Sequence, residues 1–572
     1  MAMFAFRGVR SADKPRPRII TVAVLFVLAM FCLILFMERN INVYDEGIIL
    51  SGAARAMDGA VIHRDFYTNY GPGQFYVLAA LFKMFGASVL TERIWDTVVR
   101  SCSIVLVFII VGRVAPYWLA VSASAVSLLW LGAFGFYGYP VFPALAADLA
   151  GLVFLIPVLG GVGRRPAVVA AGACAGLATL FRYDVGLATF AAEGAILAAS
   201  VWLGPLKRPD RLRAVSHVLI LFSLGFTSVV GPAGLALAFA GAIPHFVFDV
   251  VTYSARLYAQ GRALPFPGLT VLRVFPSEAV VYLPPFICLV AVLRIVTILR
   301  HRRNREDDVG PDSPIQRAEL WTLLTLSALT LLFFAKGWVR VQTIHMAMAL
   351  IGSVAMAAAL ARSLAERGTI SRSLVSVALL GVCAWSFCAV QIDWSRAVRN
   401  VAWATGPTSS QVPADGLPAL TGSCHMPDVL ARLDCIETSA ATAETIQYVE
   451  QRTTRDDPLF VGLSRHDKIF ANDVLLYFAL NRRPATKWYQ FDPGLQTSAP
   501  IQQEIIGELE RTKPKLIVLE AQWSDVKEPN GSALSDATLL DDYLRQTFEP
   551  AATFGQNSIL QRRSPRGDTP AG

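Results

Sequence analysis

Between residues 18 and 400 the chain is a succession of apolar runs. A helix needs about 20 mainly apolar residues to cross the hydrocarbon core of a bilayer. Runs of that kind lie at 18–37, 94–113, 117–135, 146–162, 166–181, 186–203, 214–242, 278–299, 319–335, 342–361 and 373–392, which predicts about eleven spans. Gln74–Phe85 is apolar but short, and is expected on or partly in the membrane, not across it. Charged residues make up 16% of the 572 positions, against about 25% in soluble proteins. The deficit ends near residue 405, where an ordinary soluble composition begins. The expected fold is a polytopic α-helical membrane protein with a small C-terminal α/β domain.

The basic residues set an orientation, because Lys and Arg collect on the cytoplasmic side of spans. Arg7, Arg10, Lys14, Arg16 and Arg18 precede the first run. Arg164 and Arg165 follow the fourth, Lys207, Arg208, Arg211 and Arg213 the sixth, and Arg300, Arg302, Arg303 and Arg305 the eighth. Arg362, Arg367 and Arg372 lie between the last two. With eleven spans all of these fall on one side. The net charge of +8 therefore reads as topology, not as nucleic-acid binding. Residues 1–18 become a cytoplasmic basic segment and 19–400 the transmembrane part. Residues 401–440 read as a linker, 441–565 as the soluble domain and 566–572 as a tail. The loops 38–93 and 243–277 and the C-terminal domain are expected outside a bacterial cytoplasmic (inner) membrane. The run from Ile19 to Met37 lacks a small-residue cleavage site and is read as a retained helix.

Cys32, Cys102, Cys174, Cys288, Cys383 and Cys388 lie in apolar runs and read as small packing residues. Cys424 and Cys435 lie in the soluble part, where an outside location permits a disulfide; two free thiols are the alternative. In that part Asp457–Ser464, Lys515–Glu520 and Ser558–Gln561 read as strands, and Asn472–Asn481, Ile501–Arg511 and Leu539–Thr547 as helices. It carries no Gly-rich phosphate loop, no HExxH and no nucleophile elbow. Its expected role is to cover the membrane site or help choose the acceptor. Arg465-His-Asp reads as a solvated loop.

The first outside loop is the richest in chemistry. Residues 46–57 form a short helix with small side chains, suited to the interface plane. Asp45 and Glu46 open it, as N-cap and helix-dipole partners or as a general base taking a proton from an attacking hydroxyl. Further on, glycines flank Pro72, which predicts a fixed turn, while Tyr67, Tyr70 and Tyr76 suit the interfacial belt. Asp65 reads as a surface residue, with a second acid as the alternative. Charges at the outer ends of spans form a second set: Asp148, Arg182, Asp184, Arg256, Arg262, Arg273, Lys336, Arg340 and His345. Basic residues outside run against the topology rule, and an anionic ligand would compensate them. Arginine grips phosphate by paired hydrogen bonds, so a phosphate head group fits. The alternative is pairing within the membrane, for example Arg182 with Asp184 or Asp148.

Tyr44-Asp-Glu-Gly, the segment Gly71-Pro-Gly-Gln-Phe-Tyr and the Glu92-Arg-Ile-Trp opening of the next span resemble the GT-C superfamily of membrane glycosyltransferases. The resemblance is closest to the bacterial branch with protein O-mannosyltransferases and lipid A aminoarabinose transferases. It implies a polyprenyl-phosphate sugar donor, inverting transfer to a lipid, glycan or protein, and a first-loop carboxylate as base. That makes Asp45 the base and Glu46 its catalytic neighbour. In the aminoarabinose branch a Lys-Pro pair helps hold the donor phosphate, but here Tyr70-Gly precedes Pro72. The phosphate then falls to Arg182, Arg256, Arg262, Lys336 or Arg340, with Tyr70, Asp148, Asp184 and His345 lining the pocket. No cofactor is expected; a divalent metal on Asp45 and Asp148 is an alternative that the sequence does not favour. Two other readings stand beside the transferase: a ligase or polymerase using a lipid diphosphate, and a lipid-carrier transporter.

Overall fold

The computed structural model describes residues 19–563 apart from scattered short stretches and the longer segments 269–278, 304–313, 367–392, 406–427 and 523–536. The membrane part contains α1 (Ile19–Leu35), α2 (Asp45–Met57), α3 (Pro72–Phe85), α4 (Val89–Val114), α5 (Tyr117–Ala133), α6 (Val141–Leu159) and α7 (Arg165–Phe181). It continues with α8 (Tyr183–Trp202) and α9 (Arg208–Phe239), then a single turn, Ile243–Phe246, that runs into a wide helical segment, Val247–Tyr258. Next come α10 (Leu283–Arg303), α11 (Pro314–Gly337), α12 (Ala347–Glu366) and α13 (Trp394–Thr405). Among the described residues, seven helices are long and apolar enough to cross a membrane, and α1, α5 and α7 are shorter apolar helices. Together they account for every expected run except 373–392, which lies outside the described residues. The chain is a polytopic helical membrane protein.

Pro72 corrects one expectation. It does not close a turn but opens α3, because a proline's missing N–H costs nothing at the first helical position. The turn before it is pressed against the end of α7: a Cβ on Gly71 would lie 2.1 Å from the Leu180 carbonyl oxygen. No side chain larger than hydrogen fits there.

Two buried arginines of α4 tie it to its neighbours, one to the first loop and one to the end of α5. Arg93, near the start of α4, meets Glu46 with both prongs, Nε to Oε1 at 2.8 Å and Nη2 to Oε2 at 3.0 Å. It also donates to the carbonyls of Glu38 and Asn40, just past α1. Arg93 is 1% exposed and Glu46 2% at the side chain, so water screens little of this pair. Arg100, two turns deeper, pairs with Asp96 and donates to the carbonyls of Leu131, Phe134 and Gly135, closing the C-terminal end of α5.

The soluble part holds α14 (Ala440–Arg452), β1 (Phe460–Leu463), α15 (Leu475–Ala479), α16 (Ala499–Thr512), β2 (Leu516–Glu520), α17 (Leu539–Thr547), β3 (Phe548–Phe554) and β4 (Asn557–Arg562). The sheet order is β1-β2-β4-β3, with β1 parallel to β2 and the other pairs antiparallel. This is the expected small α/β layer, with two additions. One is α14. The other is β3, whose Pro550 sits at a register shift, where a residue without an N–H is tolerated. The expected helix over 472–481 shrinks to α15. His466 is not solvated: it is fully buried, with Nδ1 2.7 Å from Asp541 Oδ1. Cys424 and Cys435 lie outside the described residues, as do Cys383 and Cys388; Cys32, Cys102, Cys174 and Cys288 are free.

The soluble domain does not stand apart from the membrane part. Ile48, Ile49, Leu50 and Ala53 of α2 share one core with Leu475, Leu476, Tyr477 and Phe478. Among the buried carboxyls of the soluble part are Asp473, just before α15, and Glu520, at the end of β2. Burial pushes Asp473 up to about 7. Burial, then the charge of Asp473, pushes Glu520 up to about 8. Unfolded, both groups titrate near 4. Between that pH and 7–8 the unfolded chain releases protons that the folded chain keeps, so stability present in acid is lost as pH rises. The melting temperature of the soluble domain within the full chain should therefore fall from pH 5 to pH 8. Glu520→Gln should flatten that fall. An equally steep fall in the variant would contradict the assignment.

Candidate active site

The site is built where the first loop meets the ends of four bundle helices. Asn42 starts it. Its side-chain oxygen accepts from the N–H groups of Tyr44 and Asp45 at 3.1 and 2.9 Å, which makes Asn42 the capping residue of α2. Its Nδ2 then donates to Asp45 Oδ2 at 3.0 Å. The cap function foreseen for Asp45 thus belongs to Asn42, and Asp45 is a half-buried carboxylate oriented by that amide.

Opposite stands Tyr139, in the loop before α6. Lys336, in the last turn of α11, places Nζ 2.9 Å from the Tyr139 hydroxyl and 5.0 Å from its ring centre. The Tyr70 ring lies 6.2 Å from the Tyr139 ring, and the Arg182 guanidinium 5.5 Å from the Tyr70 ring. Burial raises the Tyr139 phenol to about 12; the charge of Arg182 opposes this, and those of Asp184 and Asp45 add to it. One phenol therefore lies within electrostatic reach of Asp45, Arg182 and Asp184 while bonded to Lys336. These groups come from α2, the turn between α7 and α8, and α11. They gather at the end of the bundle that carries the soluble domain.

Arg182 binds Asp184 through Nε at 2.9 Å and Nη2 at 2.7 Å. The Arg182 side chain is 15% exposed and the Asp184 side chain 50%, so the pair is partly open to water. Its neighbour Tyr183 is fixed from the first loop: His63 Nε2 lies 3.3 Å from the Tyr183 hydroxyl and His63 Nδ1 2.9 Å from Asp249 in the Val247–Tyr258 segment. His63 holds φ at 67°, a left-handed conformation unusual for a side chain this large.

The remaining expected residues divide. Arg340 lies just past α11, where Leu264 bridges to it from the loop after α9. His345 follows a few residues later, its carbonyl packed near Gly337. Asp148 sits inside α6, buried, and accepts from Thr189 of α8 at 3.1 Å, a contact within the bundle. The side chain of Arg256, and all of Arg262 and Arg273, lie outside the described residues. Tyr67 is not interfacial: it is fully buried against Tyr253 and Trp488. Tyr139 and Asn42 were not foreseen. Tyr139 stands uncharged between Gly138 and Pro140, and nothing in its local pattern sets it apart from a structural tyrosine.

The arrangement of spans, first-loop helices and C-terminal α/β domain matches solved structures over nearly the whole chain. The apo crystal structure of ArnT from Cupriavidus metallidurans superposes with a TM-score of 0.52 at 13% identity, over 95% of this chain and 97% of that one. The structure of ArnT bound to undecaprenyl phosphate gives 0.50 at 14% identity, with the same coverage of both chains. The fold is GT-C-like. No protein-family model matches the chain, and no curated protein matches it. The likeness is one of fold.

Proposed function

We propose that this protein is a glycosyltransferase that moves a sugar from a polyprenyl-phosphate donor to a lipid, glycan or protein acceptor. The reaction takes place on the outer face of a bacterial cytoplasmic membrane. The observation that carries the reading is the gathering of Asp45, Tyr139, Arg182 and Lys336 at one end of the bundle. That end is outside under the orientation the basic clusters favour. The solved neighbour with undecaprenyl phosphate adds support, since a lipid phosphate is the ligand such a cationic pocket fits.

In this reading Lys336, the Tyr139 hydroxyl and Arg182 hold the donor phosphate. Asp45 accepts the proton of the acceptor hydroxyl as its oxygen bonds to the anomeric carbon. The sugar–phosphate bond breaks, and the polyprenyl phosphate leaves with added negative charge. Cations fixed in place before the reaction stabilise that charge without reorganising. Glu46 serves differently. Both its oxygens are engaged by Arg93, so it holds the loop and does not take the proton.

The reading is tested by incubating membranes that contain the protein with radiolabelled polyprenyl-phosphate sugars and following label into lipid, glycan and protein. Transfer only from lipid diphosphates would favour the ligase or polymerase reading instead. Lys336→Ala should raise the donor KM roughly tenfold or more, since a hydrogen bond to a charged group contributes about 1.5–3 kcal/mol. An unchanged donor KM would remove Lys336 from the phosphate site.

A further inference from the structure

The soluble domain grips the chain on both sides of Asp45. Before it, the Val43 carbonyl accepts from the Leu475 N–H at 3.0 Å. The Tyr44 hydroxyl donates to the Phe491 carbonyl and stands 3.0 Å from Asp492 Oδ1. After it, Gly47 lies so close to α15 that a Cβ would stand 2.7 Å from the Leu475 nitrogen. One residue on, the Ile48 carbonyl accepts from the Tyr489 hydroxyl at 3.2 Å. Ser51 then donates to the Val474 carbonyl at 2.9 Å. All these partners come from two segments, 474–475 and 489–492. Asp492 is 4% exposed, and its second oxygen is 3.5 Å from the Tyr67 hydroxyl, at the limit of a hydrogen bond.

We infer that Asp492 is a positioning residue that acts through the Tyr44 hydroxyl to set the direction of the Asp45 carboxylate. The inference rests on Asp45 serving as the base. The helix cap at Asn42 fixes where α2 begins, but not its rotation about its axis. Contacts at 44, 47, 48 and 51 recur at helical spacing along one face, and holding that face against the soluble domain fixes the rotation. The carboxylate must approach the acceptor oxygen within hydrogen-bond reach, and a misplacement of about 1 Å can cost on the order of a hundredfold in rate. Tyr44 is the residue next to Asp45, so a hydroxyl held by Asp492 transmits its position with one peptide unit between.

The test uses the full chain in nanodiscs. Tyr44→Phe, which removes one oxygen, should lower kcat roughly tenfold, leave donor KM within about twofold and hardly move the melting temperature. Asp492→Ala should do the same. Asp492→Asn, which keeps an acceptor oxygen, should restore kcat to within about threefold of the parent. The double variant Tyr44→Phe with Asp492→Ala should be no slower than Tyr44→Phe alone, because Asp492 acts through the hydroxyl that Tyr44→Phe already removes. Hydrogen exchange gives a readout without substrate: amides 44–48 should exchange at least about tenfold faster in Tyr44→Phe and Asp492→Ala but not in Asp492→Asn. Parent-like kcat and protection in Tyr44→Phe would overturn the inference. So would an Asp492→Asn variant as slow as Asp492→Ala, or losses that multiply in the double variant. Asp45→Asn in the same assay separates the two levels. If it is inactive while Tyr44→Phe is normal, only the positioning role fails. If Asp45→Asn is itself normal, the base assignment fails.

Discussion

Asp45→Asn is expected to lower turnover by at least about a hundredfold while the chain still folds and inserts. The substitution keeps the shape of the side chain and removes its capacity to hold a proton. It leaves the helix start intact, because the cap comes from Asn42, whose oxygen serves the N–H groups of residues 44 and 45. What α2 loses is the favourable meeting of a negative charge with its N-terminus, about 0.3–1 kcal/mol. Donor KM should stay near the parent value, since the proposed reading gives the phosphate to Lys336, Tyr139 and Arg182. Steady-state transfer with a labelled donor checks this. A variant that turns over normally would take the base role away from Asp45.

Arg93→Ala should do the opposite, unfolding the chain before it affects chemistry. Removing one partner of a buried ion pair costs about 3–5 kcal/mol, because the other charge is left without a partner. Here the loss also strands the carbonyls of Glu38 and Asn40. The readouts are folded yield and thermal unfolding in nanodiscs. Glu46→Gln should be milder, near 2 kcal/mol, since the amide can still accept one hydrogen bond. Replacing Glu46 and Arg93 together by Leu should recover part of the loss, as uncharged pairs often do in such places. If Glu46→Gln instead keeps full stability and loses activity as Asp45→Asn does, then Glu46 belongs to the chemistry after all.

Much of the architecture could be read from the sequence, and the reason is the solvent. A bilayer demands long apolar runs, and those runs mark their own ends. The strands β1 and β2 were visible for a similar reason, being short, buried and flanked by polar turns. β3 was hidden by Pro550, which argues against a strand unless a bulge accommodates it. The site was half legible. Asp45, Tyr70, Arg182, Asp184 and Lys336 were picked out in sequence because charges at the ends of spans are costly enough to stand out, and in the structure they lie around Tyr139. Glu46 looks equal to Asp45 in sequence; only the position of Arg93, 47 residues on, separates the two. Tyr139 and Asp492 carry no local signal, since their meaning comes from residues far away in the chain. In sequence the Glu92-Arg-Ile-Trp motif is only a likeness, and the structure gives its physical content: Arg93 is the bolt between α4 and the first loop.

The contact between Tyr44 and Phe491 joins positions 447 residues apart. A ribosome finishes one of these long before it begins the other. Every span has been synthesised by the time residues 474–492 emerge, so the first loop waits through almost the whole of synthesis with one wall missing. Under the proposed reading, a chain that stops short of these residues lacks the contacts that hold Tyr44 and the start of α2.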